Sequence, residues 1–350
     1  MRYCWGNPAT ETQFTMAQQP NIAFITGGYS GEATISYKSA VTIEKNLDPA
    51  LFRVYKIDIT PAAWFYTAAS GEKIQVNRYD FSLTIDGSKI SFDAIFIGIH
   101  GTPGEDGKLQ GYFDMLGIPY TSCDAATSAL TFNKRYTVAV AAFSGIYVAK
   151  SVLLIKDRFQ SPEEVTGQLS FPVFVKPNNG GSSIGMSRVN NASEELGTAI
   201  EKAFREDDQV LVEEFIEGRE FTIGVFQSKG KIITLPFTEI KTKKEFFDFE
   251  AKYTAGFTEE VTPAVVEESI AEKVRAAAKK IYQVFNCRGI VRIDFIYNEK
   301  KGQPYMLEIN TIPGQTEASL VPQQVAAMGW NLKEFYTALV NDALERRREW

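Results

Sequence analysis

VRIDFIYNEKKGQPYMLEIN, residues 291–310, reads as two strands, 291–297 and 305–310, joined by a turn. Side chains alternate along a strand. Arg292 and Asp294 therefore share one face of the first strand, and Glu308 and Asn310 share one face of the second. Val291, Ile293, Phe295, Leu307 and Ile309 point the other way, toward a core. Carboxylates are not buried without partners, and Asp294, Glu308 and Asn310 offer only oxygen ligands. That is the chemistry of Mg²⁺, whose shell is commonly completed by substrate phosphates. A solvated hairpin face would alternate in the same way, so the choice rests on the lysines and glycine loops upstream.

A chain of 350 residues has room for two or three domains with a sizeable core. Its net charge of -6 argues against nucleic acid as the main partner. No apolar run approaches the ~20 residues of a membrane helix, so no membrane partner is expected. The opening MRYCWGNPATETQFTM lacks the basic-then-apolar layout of a secretory signal. Residues 1–19 read as a disordered extension, with Met16 as an alternative start. Cys4, Cys123 and Cys287 form no metal-binding spacing and suit a reducing cytoplasm. His100 is the sole histidine. Its isolation argues against zinc sites rich in His or Cys, and against a Ser-His-Asp hydrolase not built on it.

Along the chain, NIAFI (21–25) is a buried strand that ends in the loop TGGYSG, followed by a helical pattern from 32 to about 47. Strand-like runs recur at 52–59 and 92–99, a helix at 109–117, and a short strand at 118–121. This alternation predicts an α/β, Rossmann-like parallel sheet over residues 20–122, with ligands at the strand ends. Downstream the spacing predicts a helix over 125–140, strands at 151–156, 171–177 and 209–216, and a helix over 193–204. Strands near 220–227 and 231–237, a polar loop over 241–262 and a helix over 267–285 lead to the hairpin, and two helices end the chain.

Several loops carry chemistry. NNGGSSIG (178–185) follows a strand ending in Lys176. Its glycines let backbone N–H groups approach phosphate oxygens, two hydroxyls add donors, and Lys176 adds a point charge. It is not a Walker A loop, and by itself a glycine-rich stretch between strands is more often a simple turn. Lys134 lies on a helix and gains meaning only beside Lys176. LVEEFIEGRE (211–220) joins two strands; its backbone and Glu213 could meet an adenine edge and Glu220 a ribose, although an acidic surface connector looks the same. HGTPGEDGKLQG (100–111) forms a tight loop at the crevice end of a strand, with His100 as either a ligand contact or a packing residue. Between Pro313 and Pro322, backbone N–H groups and Ser319 could form an anion site at a helix start, or simply begin a proline-led helix.

In this order the motifs resemble those of the D-alanine–D-alanine ligases of the ATP-grasp superfamily. The resemblance runs from about 21 to 328 and rests on GGYSGEATIS (27–36), HGTPGEDGKLQG, IPYT (118–121), Asn133-Lys134, VKPNNGGSSIGMS (175–187), FDFEAKY (247–253) and VRID through EINTIPG. It implies an α/β fold, α+β in its ATP-grasp part: the Rossmann-like substrate domain, a central ATP-grasp subdomain over 123–212 and a C-terminal one over 213–350. The implied reaction joins two D-alanines through a D-alanyl phosphate, with ATP consumed, for peptidoglycan precursors. By position, Lys134, Lys176 and Ser183 would hold the ATP phosphates. Glu213, Glu214 and Ile216 would line the adenine pocket, and Glu220 would take the ribose. Asp294, Glu308 and Asn310 would bind two Mg²⁺ ions, with Mn²⁺ as an alternative. Glu32 would pair with the first ammonium in a triad with Ser182 and Tyr253, and Lys252 would reach the γ-phosphate. Arg292 and the Gly314 backbone would stabilise the oxyanion. Ser319 and Leu320 would seat the second carboxylate, with His100 close by. A cytoplasmic homodimer is implied. The pattern departs at Gly180, where the family carries a glutamate, and at Phe247 and Phe249, where it carries tyrosines. The rival readings are a ligase joining D-alanine to D-lactate and a nucleotide-binding regulator without catalysis.

Overall fold

The computed structural model describes residues 19–181, 184–191, 194–242 and 258–346. Three sheets carry the chain. The first has five strands in the order β4-β3-β2-β1-β7. Its centre is parallel: β1 (Asn21–Gly27) pairs with β2 (Arg53–Ile59) and β7 (Ala94–Ile97). Two antiparallel strands absent from the sequence reading, β3 (Trp64–Thr67) and β4 (Lys73–Gln75), extend one edge. A small hairpin, β5 (Leu83–Ile85) with β6 (Ser88–Ile90), lies beside them. These strands are only three or four residues long, too short for a period to register. The run 118–121 makes a single bridge, Ile95 to Tyr120, rather than a strand.

β1 is buried on both faces, as a central parallel strand requires. Ala23 and Ile25 pack toward α2 (Lys108–Leu116), among Phe81, Leu109 and Phe113. Ile22 and Phe24 pack toward α1 (Ala33–Asn46) and toward the last helix, α9 (Leu332–Arg346), through Phe335, Tyr336 and Leu339. The end of the chain thus closes the sheet that begins it. Truncating a fully buried ring such as Phe335 to alanine would cost roughly 3–5 kcal/mol.

The expected helix over 125–140 is two helices, α3 (Ala125–Phe132) and α4 (Lys134–Phe143). Asn133 breaks it. Its side chain accepts from the Tyr136 N–H and caps α4, the local bond that makes asparagine a better cap than interior residue. The second sheet is antiparallel in the order β10-β9-β11-β8, made of β8 (Ser151–Ile155), β9 (Val173–Pro177), β10 (Ser187–Val189) and β11 (Gln209–Glu214). The short α5 (Glu163–Thr166) and α6 (Glu194–Phe204) accompany it, and α6 supplies much of its core through Leu196 and Ile200.

The third sheet runs β15-β14-β12-β16-β17, with β13 also on β12. It contains β12 (Arg219–Ser228), β13 (Lys231–Thr234), β14 (Thr238–Thr242), β15 (Thr258–Val261), β16 (Val291–Asn298) and β17 (Gln303–Asn310). β14 and β15 pair at both ends of the expected polar loop and shorten it. Phe221, Ile223, Val291, Ile293 and Phe295 face α7 (Glu268–Val284) in one core. The hairpin register shifts after Asp294, so Phe295 pairs with Met306. Met306, not Leu307, therefore enters the core. α8 (Leu320–Ala327) follows the hairpin. Among the described residues no helix is long and apolar enough to cross a membrane.

Candidate active site

The polar face of the third sheet brings the hairpin residues into register. Asp294 lies opposite Glu308, and Arg292 opposite Asn310. Arg292 grips Asp294 with two bonds, Nε to Oδ1 at 2.9 Å and Nη2 to Oδ2 at 2.8 Å. Its Nη2 also stands 3.6 Å from Glu308 Oε1. Thr222, opposite Asp294 on β12, donates its hydroxyl to Asp294 Oδ1. Asn310 Oδ1 accepts from the Ile312 N–H at 3.0 Å. The three side chains expected to hold metal thus share one face and offer hard oxygen donors, with Arg292 as the cation beside them. They fit Mg²⁺ by donor chemistry.

The first sheet delivers its strand-end loops to the same place. Glu32 stands at the start of α1. A Cβ at Gly101 would collide with its carboxylate, and one at Gly181 would come within 2.7 Å of Glu32 Oε1. Glycine at both positions lets the loop of the histidine motif and the loop after β9 close on one carboxylate. Glu105, from the same histidine motif, was not singled out by the sequence reading. It is buried, and its Oε2 accepts from the Gly101 N–H at 2.8 Å. Burial, then repulsion from Glu32, pushes its pKa up to about 8. Arg292 and Glu308 also act on it, so its field ties the loops of the first sheet to the hairpin of the third.

His100 is 6% exposed. Burial, with Arg292 nearby, pulls its pKa down to about 4, against a hydrogen bond to the Ile312 backbone. Its Nε2 lies 3.1 Å from Ser39 Oγ, and its backbone N–H donates to Ser36 Oγ at 2.9 Å. Ser39 Oγ also accepts from the Gln315 N–H at 3.2 Å. A neutral imidazole therefore ties α1 to the turn after the hairpin.

Of the expected phosphate lysines, Lys176 lies on β9 and Lys134 reaches the loop that follows it. Asn178, fully buried, holds the start of α4 and with it Lys134. Its backbone carbonyl accepts from Lys134 N–H at 3.1 Å and its Oδ1 from Arg135 N–H at 2.8 Å. These bonds satisfy the first donors of α4 and set Lys134 Nζ 2.7 Å from the Gly180 carbonyl. Lys176 is paired with Glu213 across β9 and β11, both largely buried. Glu214 turns away and accepts from the Ser170 N–H at 2.8 Å. Ile216 and Glu220 are half-buried on either side of the crossing from β11 to β12. Beside Lys176, the rings of Phe174 and Phe215 lie 6.1 Å apart, with Arg188 stacked on Phe215. That apolar wall, like Asn178, lacked a readable spacing in sequence.

Gly314 is half-buried just after the hairpin, and Ser319 precedes α8, whose first residue is Leu320. Ser319 Oγ does not cap the helix but accepts from the Thr316 N–H at 3.1 Å. Ser182, Ser183, Lys252, Tyr253, Phe247 and Phe249 lie outside the described residues.

Known proteins match this arrangement over nearly the whole chain. The family described as D-ala D-ala ligase N-terminus matches residues 21–123, and D-ala D-ala ligase C-terminus matches 134–341. The D-alanine--D-alanine ligase of Azobacteroides pseudotrichonymphae is 44% identical over 91% of this chain and 98% of its own. That of Flavobacterium johnsoniae is 43% identical over 93% and 99%. Among solved structures, the VanG D-Ala:D-Ser ligase from Enterococcus faecalis superposes with a TM-score of 0.84 at 31% identity, covering 93% of this chain and all of that one. The D-alanine--D-alanine ligase from Bacillus anthracis complexed with ATP gives 0.74 at 27% identity, covering 94% and 99%.

Proposed function

The chain belongs to the D-alanine–D-alanine ligase family and joins two D-alanines at the expense of ATP for peptidoglycan precursor synthesis, and we propose that Arg292 and the Gly314 backbone hold the reacting carboxyl while loops of all three sheets hold its partners. The observation that carries this reading is geometric: loops of the first and second sheets close on Glu32 with Glu105 bonded beside it, while Arg292 on the third sheet grips Asp294 and reaches Glu308. A carboxylate oxygen of the first D-alanine bonds to the γ-phosphorus of ATP as the bond to ADP breaks. The amine of the second D-alanine then attacks the acyl carbon, phosphate leaves with the electrons of the C–O bond, and the nitrogen gives up a proton. Positioning and charge stabilisation supply most of the rate in such transfers.

Lys134, Lys176 and Ser183 would take the phosphates of ATP, and Lys252 the γ-phosphate. For Lys176 this means sharing itself between Glu213 and the nucleotide. Glu213, Glu214 and Ile216 would line the adenine pocket, and Glu220 would take the ribose. Glu32 would bind the first ammonium, with Ser182 and Tyr253 completing its hydrogen bonds. Ser319 and Leu320 would receive the second carboxylate at the start of α8, where backbone N–H groups favour an anion. Asp294, Glu308 and Asn310 would hold two Mg²⁺ ions, with Mn²⁺ as an alternative, and these would neutralise charge on the β- and γ-phosphates. His100, buried and held through Nε2 by Ser39, would position the neighbouring turn near the acceptor rather than move a proton.

Two buried free thiols, Cys123 and Cys287, suit the reducing cytoplasm. The exposed Tyr37 and Val41, one turn apart on α1, offer an apolar face for a homodimer. The direct test is ADP release with D-alanine, L-alanine, D-serine or D-lactate, with each product identified by mass. Turnover should require D-alanine and stop with excess EDTA, and the D,D-dipeptide should dominate. Equal turnover with L-alanine would overturn the assignment, and full activity in EDTA would overturn the metal.

A further inference from the structure

On β12 the ladder changes partners. β14 pairs with it through Thr222, and β13 takes over from Val225. The connecting segment, residues 235–237, pairs with β12 only through the Leu235 N–H to the Gly224 carbonyl at 2.8 Å, and Pro236 within it has no N–H to offer. Between the two strands, the Thr222 carbonyl and the Gly224 N–H face a gap. The side chain of Gln324, on α8 and 0% exposed, fills it. Its Oε1 accepts from the Gly224 N–H at 2.8 Å, and its Nε2 donates to the Thr222 carbonyl at 3.0 Å. Nε2 also donates to Thr238 Oγ1 on β14 at 3.1 Å. The amide thus supplies the acceptor and donor that a neighbouring strand would have supplied. A Cβ at position 224 would stand 3.0 Å from Gln324 Oε1 and 2.6 Å from Leu235 Cδ1, so only glycine admits the amide fully.

The residues across from this gap matter. Thr222 pairs with Asp294 and Gly224 with Arg292 on β16. Gln324 lies one turn into the helix that begins after Ser319. We infer that Gln324 is a positioning residue that sets the seat of the acceptor's carboxylate, by locking the start of α8 to the strand behind Asp294 and Arg292. A buried amide with three bonds has one orientation, and losing the bonds to Thr222 and Gly224 would strand two buried backbone groups. The helix start therefore cannot slide relative to the reacting carboxyl.

This inference rests on the placing of the acceptor carboxylate at Ser319 and Leu320. Its test uses two acceptors in one reaction with ATP and D-alanine. Hydroxylamine has no carboxylate and does not need the seat. Its nitrogen bonds to the acyl carbon, the C–O bond to phosphate breaks, phosphate leaves with the electron pair, and a proton passes from nitrogen to water. D-Alanyl hydroxamate and dipeptide are quantified together. Gln324→Met keeps the length and removes all three bonds, and it should raise the hydroxamate-to-dipeptide ratio about tenfold, a change of ~1.4 kcal/mol. Gly224→Ala, which displaces the amide without deleting it, should shift the ratio the same way and serves if the first variant does not fold. A purely architectural glutamine would lower both products in equal proportion, and that result in both variants would overturn the inference. Ser319→Ala is the control. If it shifts the ratio while the other two do not, the seat stands and the role of Gln324 falls. If none of the three shifts it, the seat itself is misplaced.

Discussion

Glu105 and His100 come from one loop and respond oppositely to burial. The folded state raises Glu105 from 4.5 to about 8. Its contribution to stability is therefore complete below pH 4.5 and is lost as pH rises through 8. Relative to wild type, Glu105→Gln should gain of order 3 kcal/mol of unfolding free energy between pH 5 and pH 8.5. His100 falls from 6.5 to about 4. Its contribution is present above pH 6.5 and lost as pH falls through 4, so His100→Gln should gain on wild type over that lower window. Urea titrations across pH read both, and parallel curves for wild type and variant would contradict the assigned charge states. At the hairpin, Glu308→Gln keeps shape and loses charge. Turnover should fall more than tenfold, beyond ~1.4 kcal/mol, while the circular dichroism spectrum stays unchanged. Turnover within tenfold of wild type would remove Glu308 from the metal ligands.

At the scale of elements, the start of α4 links helix capping to nucleotide binding. Asn133 caps it and Asn178 completes it, so Lys134 is aimed by two asparagines rather than by its own flexible stem. Asn133→Ala should cost ~1 kcal/mol of stability and weaken binding of a non-hydrolysable ATP analogue several-fold by calorimetry. Loss of stability with unchanged affinity would mean that Lys134 does not hold phosphate. The capping role was open to sequence reading, because asparagine before a new helical run is an N-cap signal. The apolar periodicity runs through position 133 without a break, which is why a single helix was expected. Asn178 was not legible, because its partners lie thirty residues or more away in the chain.

For the whole molecule, one site assembled from three sheets predicts cooperative stabilisation. ATP touches the second and third sheets in the proposed arrangement, and a phosphinate analogue of the dipeptide intermediate touches the first and third. Each ligand stabilises through its own occupancy. Together they should raise the melting temperature by more than the sum of their separate shifts. Strict additivity in differential scanning calorimetry would argue that the two ligands do not meet.

The sequence by itself determined the hairpin. A period of two places Arg292, Asp294, Glu308 and Asn310 on one face whatever surrounds them, and the glycine loops after β1, β7 and β9 follow from the same local rules. It also determined the family, because several long and specific motifs in a fixed order carry that information directly. Only the tertiary structure decided that Met306 replaces Leu307 in the core, since a bulge answers to the partner strand and not to its own spacing. The same holds for the closing of the first sheet by α9, the burial of Glu105 beside Glu32 that raises its pKa and the amide of Gln324 inside a gap in the third sheet. Each depends on groups far apart in the chain that meet where water is excluded, and there burial and hydrogen-bond satisfaction, rather than local periodicity, set the outcome.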